Sequence, residues 1–371
     1  MNEKIRKLIK MFVPAKGDPL FELIRKSVFC VSLFLVFVFS GLLIYAVVSG
    51  GAALPAYSDT EDEFIEIEGS VSLAPDIIPE PPEVIIPDKL EEYLEYFEQN
   101  NDMVGWINIP GTRLDNPVVQ SLVYNDEGRL IGTNRHYTDI AFDGKPHKDG
   151  TIFADFRFPL TATFRPNNTV LYGHNLLNGK KFAAAANYWP YYRSASINID
   201  FYLKNPIINF DTLYEKGQYK VFAAIFVHTE ENKYDDVFDY FRRREFTNRD
   251  EFYDFIVNVL DRSGFYTDVD IRYGDEFLTL STCHWPLGRT SVDSRIAVFA
   301  RRVREGESPE VNTDVARLNP TPLFFKEYYR RRGGAWGGRT WDTGKVEGLD
   351  EWIARREGPV GGYYWYPDAG Q

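Results

Sequence analysis

Ser27 to Ser49, reading SVFCVSLFLVFVFSGLLIYAVVS, carries no charged side chain. A helix needs roughly 20 apolar residues to cross a bilayer, and this run is long enough. It also exceeds the apolar core of about 7–15 residues of a cleaved secretion signal. Small residues between Gly50 and Tyr57 leave cleavage there as an alternative. Before the run lie Lys4, Arg6, Lys7, Lys10, Lys16, Arg25 and Lys26; after it come Asp59, Glu61, Asp62, Glu63, Glu66 and Glu68. Lys and Arg favour the cytoplasmic side. Residues 27–49 are therefore expected to form a single transmembrane helix, with a cytoplasmic basic segment at 1–26 and the rest of the chain outside the cell. Any folded domain must then be built from the residues after Ser49.

Residues 50–87 are expected to be a Pro-rich, acidic extracellular linker. Pro75, Pro79, Pro81, Pro82 and Pro87 fall close together, and such segments favour extended polyproline II and act as spacers. The net charge of -12 argues against a nucleic-acid partner, because phosphate binding needs a basic face. With Cys30 inside the apolar run, Cys283 is left as a free thiol. A lone thiol in an oxidising compartment is a liability unless chemistry requires it.

A folded domain is expected over 88–306. Asp88 and Glu91 have capping-box spacing; Leu90, Tyr93, Leu94 and Phe97 then repeat at helical spacing up to Asn100-Asn101. Short apolar runs predict strands at 104–109, around 118–119, at 152–153, 170–172, 207–210 and 219–227, and at 276–282 and 295–303. One clear helix interrupts them: Phe252, Phe255, Ile256 and Val259 share a face, and Gly264 suits the position after its end. Many short strands with few helices predict a mainly β domain closed into a barrel. With 23 Tyr and 28 Phe, the aromatic content fits either an aromatic-rich core or a peptide-binding surface. Residues 307–371, with Arg330-Arg331-Arg332, Gly pairs and Tyr363-Tyr364-Trp365-Tyr366, change character. They are expected to form a solvated tail outside the domain, with contact to an anionic surface polymer as the alternative.

In Phe277 to Cys283 side chains alternate across the sheet, so Phe277, Thr279, Ser281 and Cys283 share one face. Cys283 falls where the strand ends, before a loop with Pro286 and Gly288. Two readings stand level: a small buried core thiol, or a nucleophile at a rigid strand end. If the last two strands pair as a hairpin, Arg295 lies beside Cys283, where a guanidinium lowers a thiol pKa and stabilises an oxyanion; a surface arginine at a loop edge is the plainer reading. His174 follows the strand Val170-Leu171-Tyr172 and Gly173, a setting for a general acid and base, although a lone His is more often structural. His284 abuts Cys283 but should point to the other face. No paired-His or Cys spacing suggests zinc, and no Gly-rich phosphate loop is present.

Thr279-Leu280-Ser281-Thr282-Cys283, then Arg295, after Tyr172-Gly173-His174-Asn175, resembles a sortase. Val104-Gly105-Trp106-Ile107-Asn108-Ile109-Pro110-Gly111-Thr112, the helical lead-in at 88–99 and the helix from Asn248 to Arg262 resemble class B. The resemblance covers about residues 89–305. It implies a sortase-type eight-stranded β barrel with an N-terminal helix and an additional helix before the last two strands. It further implies a cysteine transpeptidase that needs no metal or organic cofactor. Cys283 would attack the threonine carbonyl of a C-terminal sorting signal on a secreted protein, giving a thioacyl enzyme. His174 would shuttle the proton and Arg295 would bind the signal or stabilise the oxyanion. Ser281, Thr282 and Asn175 would contact the signal. An amine of a lipid-linked peptidoglycan precursor would resolve the intermediate; a pilin lysine is the alternative. Asp293 is the acidic residue near the thiol in sequence, and His284 departs from the family's usual pattern. A tethered β-barrel binding module with an inert core cysteine is the non-enzymatic reading.

Overall fold

The computed structural model describes residues 26–27, 86–176, 178–192, 197–231, 233–287 and 292–355. Met1–Pro81 and Pro82–Gln371 are separate units. Of the expected membrane span only Ser27 is described; the basic segment apart from Lys26, the linker apart from Ile86 and Pro87, and Tyr363–Tyr366 lie outside the described residues. Among the described residues no helix is long and apolar enough to cross a membrane.

The second unit is mainly β. Its strands are β1 (Met103–Asn108), β2 (Asp115–Val119), β3 (Ile152–Ala154), β4 (Asn168–Tyr172), β5 (Ile207–Thr212), β6 (Gln218–His228), β7 (Phe265–Tyr266), β8 (Phe277–Cys283), β9 (Ser294–Arg302) and β10 (Arg317–Leu318). Its helices are α1 (Leu94–Gln99), α2 (Ala183–Ala186), α3 (Asp200–Lys204), α4 (Arg249–Arg262), α5 (Lys326–Arg332) and α6 (Leu349–Arg355). Eight strands pair in the order β1-β2-β3-β4-β8-β9-β6-β5, and β5 returns to β1, so the sheet closes. The β2–β3 and β4–β8 pairs are parallel and the others antiparallel.

Alternation along β8 and β9 sorts two cores. Leu278 and Leu280 point into the barrel opposite Ala300 and Val298. Phe277 and Phe299 point outward and meet Phe252, Phe255, Ile256 and Val259 of α4. The apolar stripe read from sequence is thus the face that covers the barrel's outer wall. Each such side chain, fully buried, contributes about 1.5–3 kcal/mol. Asn248 caps α4, its side chain accepting the Glu251 amide at 2.9 Å.

Gly264 does follow this helix, but its backbone is not left-handed. Close packing is what requires a glycine there: an added Cβ would lie 2.6 Å from Pro190 Cδ and 2.8 Å from Trp189 Cζ3.

Two expectations are corrected. The lead-in helix is shorter than the 88–99 periodicity suggests. A 3-10 turn at Glu91–Tyr93 precedes α1, and its N-cap is Leu90, without a side-chain cap, rather than Asp88. Packing sets its position instead, since Leu90, Tyr93 and Phe97 join Met103 and Leu213 while Leu94 is exposed.

The segment beyond 306 is not a solvated tail, at least to residue 355. Glu307 pairs with the wholly buried Arg301 at 2.6 Å and with Lys220 at 2.6 Å. β10 pairs with β7. Phe325, Trp341, Val346, Leu349 and Trp352 are buried, the last four against α4 and its neighbours. Scattered among glycines and arginines, these apolar residues have no single period that announces a packed face. The arginine triplet closes α5, where Arg330 and Arg331 both pair with Glu327 at 2.5 Å.

Candidate active site

β4, β8 and β9 are consecutive in the closed sheet. Tyr172 is level with Ser281 in the parallel β4–β8 pair. Thr282 Oγ1 donates to the Gly173 carbonyl at 2.7 Å, carrying that register one residue further. His174 lies two residues past the end of β4 and lines the same cavity as Cys283. On the other side, Cys283 pairs directly with Arg295 across the β8–β9 ladder. Level residues on neighbouring strands share a face, with Cβ atoms about 4.5–5.5 Å apart in an antiparallel pair. Three side chains far apart in sequence are thus brought into one row.

That row floors a cavity of about 530 Å³, lined among others by Asn134, Arg135, Thr138, Phe153, Tyr172, His174, Thr229, Tyr240, Phe241, Cys283 and Arg295. Cys283 is partly exposed and faces this cavity. The Thr138 carbonyl accepts from His174 Nε2 at 2.6 Å. A carbonyl cannot donate, so Nε2 carries the proton and, in the neutral ring, Nδ1 is the accepting nitrogen. Arg295 pairs bidentately with Asp293, including an Nη2 bond of 2.9 Å. Burial pulls the Arg295 pKa down, but the neighbouring Cys283 and Asp293 outweigh it and hold it above the ordinary arginine value. Asp293 thus joins the site by orienting the guanidinium.

Ser281 and Thr282 also line the cavity, yet both are buried and engaged. Ser281 Oγ lies 2.7 Å from the Tyr240 hydroxyl, and Thr282 holds Gly173 as above. Asn175 is not among the cavity's lining residues. Its amide donates to the Cys283 carbonyl at 3.0 Å, and its own oxygen accepts from Tyr192 at 3.0 Å, so it fixes the backbone that carries the thiol. His284 points away from the row, as strand alternation requires. Its ring lies 5.1 Å from Tyr192 and 5.3 Å from Phe226, and burial lowers its pKa to about 4.

A second layer braces the row. The buried Asp155 accepts from Tyr172 at 2.9 Å and from Arg157 Nη2 at 2.6 Å, with Arg244 at 2.9 Å. Burial pushes its carboxyl up, but the Arg157 hydrogen bond and the Arg244 charge outweigh this and leave it below the usual value. Sequence reading missed Asp155, Thr138, Tyr240 and Phe241. Asp155, Tyr240 and Phe241 sit between regular elements and Thr138 ends a single 3-10 turn at His136–Thr138, where spacing carries no signal, and Thr138 acts through its backbone.

No family model matches the chain. Sortase B of Staphylococcus aureus is 31% identical over 205 residues, covering 55% of this chain and 72% of that protein. Sortase B of Listeria monocytogenes is 27% identical over 193 residues, covering 52% of this chain and 67% of that protein. Among solved structures, a Staphylococcus aureus sortase B–substrate complex is 29% identical, covers 58% of this chain and 87% of the other, and superposes with a TM-score of 0.48. On the extent of the first match, the chain belongs to the class B sortases.

Proposed function

We propose that the chain is a cysteine transpeptidase of the cell envelope, acting on the C-terminal sorting signal of secreted proteins. The observation that carries this reading is that His174, Cys283 and Arg295 line one cavity, with Cys283 paired to Arg295 across two adjacent strands. A free thiol of pKa about 8.5 is only about 3% thiolate at pH 7, so a cation one strand away favours the reactive form. The sulfur attacks the carbonyl of a peptide bond, and the tetrahedral oxyanion forms beside the Arg295 guanidinium. The C–N bond then breaks, His174 passes to the departing amine the proton it took from the thiol, and a thioester remains on Cys283. An incoming amine loses its proton to His174, attacks the thioester and releases the sulfur. A cell-wall precursor amine suits this last step. Both curated relatives carry the sortase B name, and nothing in them favours a pilin lysine. A helix at 27–49 would hold the cleft where secreted proteins emerge.

The test is cleavage of sorting-signal peptides by the full chain and by Cys283→Ala. Cleavage should vanish in the variant. Equal turnover by both proteins would refute the assignment.

A further inference from the structure

Residues 284–287 leave the thiol-bearing strand and run against a part of the chain that the proposed chemistry does not use. Leu287 packs in the barrel's main core cluster with Phe324, Phe325 and Tyr328. The Phe226 ring that touches His284 also lies 5.3 Å from Phe325 and 5.9 Å from Tyr328. Polar contacts reinforce this seat. Arg332 donates to the Pro286 carbonyl at 3.0 Å, and Arg331 to the Leu287 carbonyl at 3.4 Å. Glu327 holds the Arg331 guanidinium from within the same helix.

The start of α5 holds the end of β6 and the connection that follows it. Phe325 lies 4.9 Å from the ring of His228, the last residue of β6. Asp236 accepts from His228 Nε2 at 3.0 Å through one oxygen and from the Lys326 amide at 2.5 Å through the other. Lys326 Nζ also pairs with Asp235 at 2.8 Å. The connection between β6 and α4 that contains Asp235 and Asp236 also supplies Thr229, Tyr240 and Phe241 to the cavity. One short helix therefore ties the segment that directly follows Cys283 to the connection that supplies Thr229, Tyr240 and Phe241 to the cavity.

We propose that α5 is a built-in brace of the cleft, with Arg331 and Arg332 as positioning residues that fix residues 284–287 and so set how tightly the site holds its peptide. This rests on the transpeptidase reading for its effect on turnover, but not for its effect on the 284–287 segment. Neither arginine lines the cavity, so their loss should act on binding and leave the chemistry of the thiol in place.

The experiment compares the full chain with the Arg331→Ala/Arg332→Ala and Arg331→Lys/Arg332→Lys double variants. Three readouts are taken: amide exchange by mass spectrometry, labelling of Cys283 by a methanethiosulfonate reagent across pH, and peptide cleavage. In the alanine variant, exchange over His284–Leu287 should quicken by about three- to tenfold, the span that the loss of one or two hydrogen bonds allows. Exchange in β8 and α4 should not change. The pH profile of labelling should match wild type, KM should rise about three- to tenfold, and kcat should stay within about twofold. The lysine variant should lie between the two. Unchanged exchange over 284–287, or exchange rising evenly across the barrel, would overturn the brace. Local loosening with unchanged KM would overturn its role in binding. If wild type cleaves no peptide, the transpeptidase reading fails, and the exchange data alone still decide whether α5 holds the segment.

Discussion

Trp352→Ala tests whether the C-terminal segment belongs to the fold. Trp352 is 3% exposed. Its ring centroid lies 5.4 Å from that of Tyr253, and its indole nitrogen donates to Asp250 at 2.6 Å, so both contacts fall on α4. Truncating a buried Phe or Trp to Ala costs about 3–5 kcal/mol, from lost transfer energy and the cavity left behind. The lost hydrogen bond adds little, because the Asp250 side chain can return to water. A domain holds only about 5–15 kcal/mol in total, so the loss is a large fraction of it. For a domain of this size it corresponds to a fall in Tm of roughly 6–20 °C. Urea unfolding followed by far-ultraviolet circular dichroism should show the midpoint falling with an unchanged slope. A loss under about 0.5 kcal/mol, the range of an ordinary surface substitution, would return this segment to the status of a solvated tail.

Gly264→Ala should cost about 1–3 kcal/mol by overpacking, because its Cβ would sit 2.6 Å from Pro190 Cδ; an unchanged urea midpoint would contradict that packing. His284 has a folded pKa of about 4 because it is buried, against about 6.5 when unfolded. Its stabilising contribution is therefore complete above pH 6.5 and is lost as pH falls toward 4, by on the order of 3 kcal/mol. His284→Leu should flatten the stability–pH curve in that window, as read by urea midpoints at a series of pH values. Arg295→Met should slow labelling of Cys283 at pH 7, because it removes the cation paired with the thiol across the ladder; equal rates in both proteins would dismiss the coupling.

Much of the barrel is legible in the sequence because its strands are short apolar runs and its principal helix keeps one clean stripe. The hairpin geometry of Cys283 and Arg295 is legible too, since two strands joined by one loop leave few ways to pair. His174 is a harder case. Its closeness to Cys283 depends on a parallel neighbour that no local pattern specifies, and only resemblance to a family pointed to it. Asp155, Thr138 and Tyr240 were not legible at all, because they reach the site from connections whose paths are set by tertiary packing. The sequence motif draws notice to Asn175, but its bond to the Cys283 carbonyl depends on a contact between chain segments 108 residues apart. The C-terminal segment misled because glycine and arginine content masks a few widely spaced anchors. Trp341, Leu349 and Trp352 bury themselves singly rather than as a stripe.

The most direct measurement is the intact mass of the full chain after brief incubation with a library of sorting-signal peptides, followed by acid quench. A thiol acting as nucleophile should carry a covalent adduct equal to an N-terminal peptide fragment, mapped to Cys283, sensitive to hydroxylamine and absent from Cys283→Ala. Peptide cleavage that proceeds equally well in Cys283→Ala, with no adduct on the native chain, would contradict the account.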